Sequence, residues 1–243
     1  MVPIDTEVVM DVRRVAILTV AILALSVAVA VAVPNHPSSE FEISRGCMCH
    51  SDRIREWEGG MHALALVDPI YRTKLEEAVA AQPGIEQFCE SCHTPIGVMA
   101  GEVSGSDISG VSDQGKEGVS CDFCHNVSGK SGDPIGNASY IMTLDGAKRA
   151  QLDDAVSPAH ATAYSAFHES SEFCGNCHNV RHPTNGTPLE ATYDEWAASP
   201  YAEQGITCQD CHMTPGPGVT KPNPGTAAGG GPEREHVYLM TFA

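Results

Sequence analysis

The chain has few of the residues that usually fill a protein interior, and few positive charges. Only 6% of its 243 residues are aromatic, and it carries 14 Lys and Arg against 31 Asp and Glu. The net charge of −17 argues against nucleic acid as a partner and leaves basic partners, cations and mineral surfaces open. The scarcity of aromatic residues, together with 23 Gly and 16 Pro, predicts a loop-rich chain whose core is not built by side chains alone.

No cysteine is left over for an ordinary disulfide framework. All ten cysteines lie in five short motifs that end in Cys-His, and this use of cysteine points to cofactor chemistry in an exported protein. In chain order these are motif 1 (Cys47, Cys49, His50), motif 2 (Cys89, Cys92, His93), motif 3 (Cys121, Cys124, His125), motif 4 (Cys174, Cys177, His178) and motif 5 (Cys208, Cys211, His212).

Motifs 2 to 5 have the spacing Cys-x-x-Cys-His, which is the attachment pattern of haem c. On one turn of helix the two thiols and the following imidazole share a face, so the thiols can bond the two vinyl groups while the imidazole binds the iron. A single such motif is compatible with a zinc site or a redox dithiol, but four of them predict four covalent haems. Stacked haems would then supply the core that the side chains lack.

Motif 1 is one residue shorter, because only Met48 separates Cys47 from Cys49. Two cysteines at i and i+2 point to different sides of a helix, so a haem here needs a distorted turn or a single thioether. We predict a fifth haem at this motif, since His50 follows the second cysteine as in the other four. The alternative is a free or disulfide-linked cysteine pair with His50 at the surface.

Histidines are numerous enough to bind every iron on both sides. Of the eleven, five belong to the motifs, and the other six are predicted distal ligands: His36, His62, His160, His168, His182 and His236. Met61 and Met213 are alternative distal ligands. Five irons with two histidines each would have no open position for a substrate. A reductase often marks its open iron with Lys in place of the motif His, and no Cys-x-x-Cys-Lys occurs in this chain.

The sequence predicts a mostly α fold with extensive loops and little regular secondary structure. A helix through Ile54 and Trp57 leads to His62, and a second helix covers 70–81. Residues 158–171 are predicted to form a helix with His160 and His168 on one stripe, where the two could bind neighbouring irons. Residues 101–118 and 126–139 are rich in Gly, Ser and Asp and are predicted to be surface loops.

Three regions are predicted. Residues 1–33 contain an apolar run that suits a secretory signal peptide or a retained membrane anchor. Residues 34–213 form the haem-binding region, within which a two-haem unit is duplicated at 88–125 and 173–212. Residues 214–243 are a Gly/Pro-rich linker and tail. The stretch 193–202 also echoes 56–63, with Tyr201 where the first copy has His62.

The run from Cys47 to Met213 resembles the multihaem cytochromes c that pass electrons outside the cell. It is most similar to the family whose tetrahaem members polymerise into extracellular cytochrome nanowires. The resemblance lies in 56–63, in 118–125, in 173–179 and in 193–213. It implies haems stacked from subunit to subunit, with one axial His donated by the neighbouring chain. His36 is the hypothetical donor, and the shortened motif 1 is a departure from the family.

We therefore expect an electron conduit rather than an enzyme, exported to the cell surface or beyond. Its predicted partners are further copies of itself in a filament, redox proteins and extracellular acceptors. Two alternatives remain open. The first is a reductase of a nitrogen or sulfur oxyanion with one open iron, for example the iron at His50. The second is a quinol dehydrogenase anchored in the membrane by an apolar helix within residues 1–33.

Overall fold

The computed structural model describes residues 36–213. The predicted export segment 1–33, His236 and the predicted linker 214–243 lie outside the described residues. The described part consists of short helices joined by long irregular segments, with three small sheets. The predicted mostly α, loop-rich fold is confirmed. None of the helices within residues 36–213 has the length and apolar character needed to cross a membrane.

Each of the five motifs lies in a helix or begins at one. The α-helices are α1 Ser51–Glu58, α2 Met61–Leu64, α3 Pro69–Ala81, α4 Glu86–His93, α5 Pro95–Met99, α6 Asp113–Lys116, α7 Cys121–Asn126, α8 Ser171–Gly175, α9 Thr192–Ala197, α10 Pro200–Glu203 and α11 Cys208–His212. Four 3₁₀ helices cover Ser38–Glu40, Ser44–Gly46, Met48–His50 and Ala166–Glu169. Motifs 2, 3 and 5 lie within α4, α7 and α11, while motif 4 begins in α8.

Capping residues in the sequence explain where several helices start. The Asp68 carboxylate accepts a hydrogen bond from the Tyr71 amide at 2.8 Å, and Pro69 follows at the first helical position of α3. The Ser120 hydroxyl accepts one from the Phe123 amide at 3.2 Å, which starts α7 at the first cysteine of motif 3. Thr207 forms a capping box that starts α11 at motif 5.

Three two-stranded sheets occupy the loops between the motifs. They pair β1 Val127–Lys130 with β2 Tyr140–Met142, β3 Ala147–Ala150 with β4 Ala161–Tyr164, and β5 Val180–Arg181 with β6 Pro188–Glu190. The first and third pairs are antiparallel hairpins, and β3 runs parallel to β4. The stretch 126–139, predicted to be loop, therefore contains β1, and 101–118 contains the short helix α6.

The predicted helix over 158–171 is wrong. Its centre is β4, whose backbone pairs with β3, and the Ser165 amide donates to the Ala150 carbonyl at 2.8 Å. A 3₁₀ helix and then α8 follow. Since the backbone donors of β4 face a neighbouring strand, they cannot form the i to i−4 bonds of a helix.

The side-chain core is small and lies around motif 3. Phe41, Ile96, Met99, Val119, Phe123 and Val127 form one buried cluster, against which Phe167 and Phe173 pack. Most motif cysteines and histidines are only half-buried around it. A side-chain core of this size agrees with a fold whose remaining interior is filled by haem.

Candidate haem sites

Three pairs of imidazole rings face each other across gaps of nearly equal size. The ring centroids of His50 and His160 lie 6.4 Å apart, and those of His62 and His178 lie 6.2 Å apart. In the third pair His125 and His168 have centroids 6.3 Å apart and ring planes within 12° of parallel. Each pair joins one motif histidine to one of the predicted distal histidines. The motif histidines belong to motifs 1, 4 and 3, respectively.

The gap in each pair fits one iron ion. An imidazole nitrogen binds a transition metal at about 2 Å, and the ring centre lies about 1 Å behind that nitrogen. Two imidazoles on opposite sides of one iron therefore have centroids roughly 6 Å apart. The three observed distances match this requirement, so the residues present fit haem groups at these motifs.

The ring nitrogens are arranged so that one nitrogen can bind a metal while the other is held by the protein. Nδ1 of His125 lies 2.7 Å from the Arg149 carbonyl oxygen, and Nδ1 of His93 lies 2.8 Å from that of Ala65. Nε2 of His168 lies 3.1 Å from the Cys124 carbonyl oxygen, while its buried Nδ1 has no hydrogen-bond partner in the described residues. A carbonyl that accepts from the ring nitrogen opposite the metal fixes the tautomer and the orientation of a ligating ring.

Burial keeps His62 and His168 neutral, the form that binds metal. Burial, followed by the nearby His178, lowers the pKa of His62 to about 4. Burial also lowers the pKa of His168 to about 4, and the nearby His125 acts in the same direction. Both rings therefore present an unprotonated nitrogen at neutral pH.

Motif 2 differs from motifs 1, 3 and 4. Within residues 36–213 no ring contact pairs His93 with another imidazole; instead the Tyr71 ring stacks on it, with centroids 3.6 Å apart and planes within 4°. A stacked ring lies beside the imidazole plane and leaves the lone pair of Nε2 free. At motif 5, His212 is exposed and makes no ring contact with an imidazole of the described part.

Two of the predicted distal ligands are described but are not brought to an imidazole. Nδ1 of His36 lies 3.1 Å from the Glu40 carboxylate, and Nδ1 of His182 receives hydrogen bonds from Thr184 within its own loop. Met61 lies in α2 beside His62, and Met213 follows α11. The structure therefore pairs His62, His160 and His168 with motif histidines, and leaves His36 and His182 unpaired with any imidazole of residues 36–213.

Motif 1 accommodates its missing residue with a tighter helix. Met48–His50 is a 3₁₀ helix, and the His50 amide donates to the Cys47 carbonyl at 2.8 Å. A 3₁₀ helix has three residues per turn, so the cysteine and histidine positions shift relative to those of an α-helix. His50 still faces His160, as required for a distorted but haem-competent motif.

The motif cysteines show which motifs are neighbours. Cys177 of motif 4 lies beside Cys92 of motif 2, and Cys174 of motif 4 lies beside Cys208 of motif 5. Cys124 of motif 3 lies near both cysteines of motif 4, and Cys47 of motif 1 lies near Cys121 of motif 3. Motif 1 therefore adjoins motif 3, and motif 3 adjoins motif 4. Motif 4 also adjoins motifs 2 and 5.

The same hydrogen bonds recur around two pairs of motifs. The Trp57 indole donates to the Val119 carbonyl at 2.8 Å, and the Trp196 indole donates to the Ile206 carbonyl at 2.9 Å. These two carbonyls each stand two residues before the first cysteine, of motif 3 and of motif 5. The Val119 amide donates to the His62 carbonyl and the Ile206 amide to the Tyr201 carbonyl, both at 2.9 Å.

A third hydrogen bond extends the equivalence to motifs 1 and 4. The Cys121 amide donates to the Ser44 hydroxyl at 3.3 Å, and the Cys208 amide donates to the Ser171 hydroxyl at 3.0 Å. Ser44 and Ser171 each stand three residues before the first cysteine, of motif 1 and of motif 4. Motifs 1 and 3 are thus joined in the same way as motifs 4 and 5, with motif 2 lying in the segment between Trp57 and Val119.

Sequence reasoning missed three side chains beside motif 2. Tyr71 stacks on His93, and Arg72 lies 3.5 Å from Glu90, which is only 2% exposed. The one signal available was Glu90 itself, a carboxylate between the two cysteines of a motif. Its partners lie on another helix, so spacing could not reveal them.

Comparisons with known proteins agree with the fold. The family described as cytochrome c554 and c-prime matches residues 46–126, which contain motifs 1 to 3. The crystal structure of a penta-haem cytochrome c552 from Thermochromatium tepidum superimposes with a TM-score of 0.55 at 22% identity. That match covers 80% of this chain and only 57% of the other, so this chain spans little more than half of its length. No curated protein matches significantly.

Proposed function

We propose that this multihaem c-type cytochrome is an electron conduit in which five haems, one at each motif, relay electrons without a substrate of their own. Haem c supplies reversible one-electron exchange at its iron. The observation that carries the proposal is the set of three imidazole pairs 6.2–6.4 Å apart, because two axial histidines leave an iron no open position.

The residues of this chain have distinct roles in that relay. The motif cysteines would hold the haems covalently, and His50, His125 and His178 would bind the irons of the three paired sites. His160, His168 and His62, respectively, would bind the same three irons. The carbonyls of Ala65 and Arg149 orient His93 and His125. The contacts between motifs support an electron path from motif 1 through motif 3 to motif 4. From motif 4 the electron can pass to motif 2 or to motif 5.

The test is the intact mass of the protein together with its binding of carbon monoxide. The proposal expects a mass with five covalent haems, and carbon monoxide binding by at most the irons at motifs 2 and 5. Four haems would show that motif 1 carries none. Binding by three or more irons would contradict the paired ligation.

A reductase acting at motif 2 is the second candidate, because His93 faces no imidazole in the described residues. The irregular motif 1 was the expected place for an open iron, but His50 faces His160. A reductase would turn over nitrite or sulfite with the reduced protein, and carbon monoxide would inhibit the turnover. Absence of turnover, with or without carbon monoxide binding, would leave the conduit.

We further propose that the protein is exported and assembles into an extracellular filament. Its support is the resemblance of the motif segments to nanowire subunits, together with His36, which faces no imidazole of residues 36–213, and with the exposed His212 of motif 5. The quinol dehydrogenase is the competing assignment. Sequencing the mature N-terminus separates the two, since a start beyond residue 31 would leave no membrane anchor.

A further inference from the structure

A cluster of buried polar side chains lies between α3 and α4, next to motif 2. It consists of Tyr71 and Arg72 on α3 and of Glu86 and Glu90 on α4. Three of its buried polar atoms, the Tyr71 hydroxyl, Arg72 Nη1 and Glu86 Oε2, have no hydrogen-bond partner in the described residues. Glu90 is 2% exposed, and its ion-pair contact is Arg72 Nη1 at 3.5 Å, longer than a hydrogen bond.

The charges of this cluster do not balance. Two carboxylates one helical turn apart, Glu86 and Glu90, belong to this cluster, and its one guanidinium forms an ion pair with Glu90 and donates from Nη2 to the Ser106 carbonyl. A buried unpaired carboxylate is costly, and the usual remedy is to bind a proton. Buried groups without partners are rare in folded proteins. The Tyr71 hydroxyl and Arg72 Nη1 are donors that a proton cannot satisfy, whereas a buried carboxylate of this cluster can be neutralised by one.

The cluster is also in contact with the ligand of an iron. Tyr71 stacks on His93, and Glu90 stands between Cys89 and Cys92, which hold the same haem. An added electron lowers the positive charge at that iron by one. In a medium of low dielectric, the loss of a nearby positive charge raises the proton affinity of a carboxylate.

We propose that reduction of the haem at motif 2 is coupled to the uptake of one proton by this cluster, at Glu90. A haem bound at motif 2 would be reduced from ferric to ferrous by one electron from a neighbouring haem, and the Glu90 carboxylate would take a proton from solvent and become a neutral acid. The inference rests on the proposed haem at motif 2, and it adds proton-coupled transfer to the simple conduit. Such coupling would deliver a proton together with the electron to an acceptor at motif 2.

The groups that face Glu90 support this assignment. Burial raises the pKa of Glu90 to about 7; Arg72 opposes the shift and Glu86 adds to it. Tyr71 and the Cys89 thiol also lie close enough for Glu90 to raise their pKa values. A carboxyl group with a pKa near neutrality is ionised in part before reduction, and so has room to accept a proton.

The experiment measures proton uptake with a pH indicator dye while the holoprotein is fully reduced in weak buffer near pH 7. The wild type is expected to take up about half a proton more per chain than the Glu90→Gln variant, because a carboxyl group with a pKa of about 7 is already about half protonated at pH 7. Glu76→Gln removes an exposed carboxylate of α3 and is the matched control, expected to behave as wild type. The haem content of each variant is read from its intact mass.

The Arg72→Gln variant tests the sign of the coupling. Removal of the guanidinium raises the pKa of Glu90, so the acid is already neutral before reduction at pH 7, and proton uptake moves to higher pH. Equal uptake by wild type and Glu90→Gln, each with full haem content, would overturn the inference and leave the conduit intact. Loss of the haem at motif 2 from the wild type itself would instead contradict the proposed function. If Glu90→Gln fails to retain haem, the test rests on Arg72→Gln alone. Proton uptake over the same pH range as in the wild type would then overturn the coupling.

Discussion

His168 shows how one side chain is held ready for a metal. Its ring faces His125 almost in parallel, and the Phe173 ring packs against it with centroids 4.4 Å apart. Its Nε2 lies beside a backbone carbonyl and its buried Nδ1 lacks a partner. A buried imidazole nitrogen without a partner costs free energy in the apoprotein, and a bound iron removes that cost.

Replacing His168 tests this assignment. We expect His168→Ala to leave the iron at motif 3 with five ligands, so that its spectrum changes from low-spin to high-spin and it gains carbon monoxide binding by one haem per chain. His182→Ala is the control, because Nδ1 of His182 is engaged by Thr184 in its own loop. The measurement is an optical titration of the reduced protein with carbon monoxide. Identical titrations for both variants would refute the pairing of His168 with His125.

Motif residues and distal histidines differ in how far the sequence alone can predict them. The cysteines and the histidine of a motif lie within five consecutive residues, so spacing alone identifies them. His62 and His160 could be predicted only as members of a pool of spare histidines, because the iron that each one faces depends on contacts far along the chain. Tyr71 had no sequence signal, since its stacking on His93 exists only in the folded protein.

Among the secondary-structure elements, the turn before motif 3 controls a ligand of motif 4. Gly118 has φ +67°, a conformation that glycine adopts without strain, and a Cβ there would overlap the carbonyl oxygen of His62. That carbonyl accepts the Val119 amide, and the His62 ring faces His178. The turn therefore fixes the backbone from which a distal histidine projects.

Alanine substitutions at Gly118 and at Gly205 distinguish the cost of steric crowding from the cost of backbone strain. Gly205 occupies the equivalent turn with φ +71° and has open space around its missing Cβ. We expect Gly205→Ala to cost about 1 kcal/mol of stability from strain alone. Gly118→Ala should cost about 3 kcal/mol, because the His62 backbone must also move. Denaturant unfolding measures both costs, and only Gly118→Ala should raise the high-spin fraction. Equal costs would show that the turn does not position His62.

The parallel pairing of β3 with β4 explains why the predicted helix over 158–171 failed. The spacing of His160 and His168 fits a helical stripe, but β4 pairs along its whole length with β3. The two histidines still reach two different motifs, His160 at motif 1 and His168 at motif 3. The inference that they serve neighbouring irons is supported by this geometry, although the element that was expected to carry them is not a helix.

At the scale of the whole molecule, His36 and motif 5 lie at opposite ends of the described sequence, and neither faces an imidazole within it. His36 stands at the start of the described residues with 25% of its side chain exposed, whereas His212 of motif 5 lies in the last helix and is exposed. Motif 5 repeats the surroundings of motif 3 but faces no imidazole in residues 36–213. A ligand from outside this part of the chain could complete it, either His236 of the same chain or His36 of another copy.

Two histidine variants distinguish these sources and test the filament. If His36 of a neighbouring copy binds the iron at motif 5, His36→Ala should abolish filaments in electron micrographs and leave one additional high-spin haem per chain. His236→Ala should then change neither the filaments nor the spectrum. The opposite result, a high-spin haem only in His236→Ala, would mean that each chain completes its own fifth site. Filaments that persist unchanged in His36→Ala would contradict the assignment of His36 as the ligand shared between subunits. If His36 bound the iron of the neighbouring copy, its loss would remove a contact across every subunit boundary.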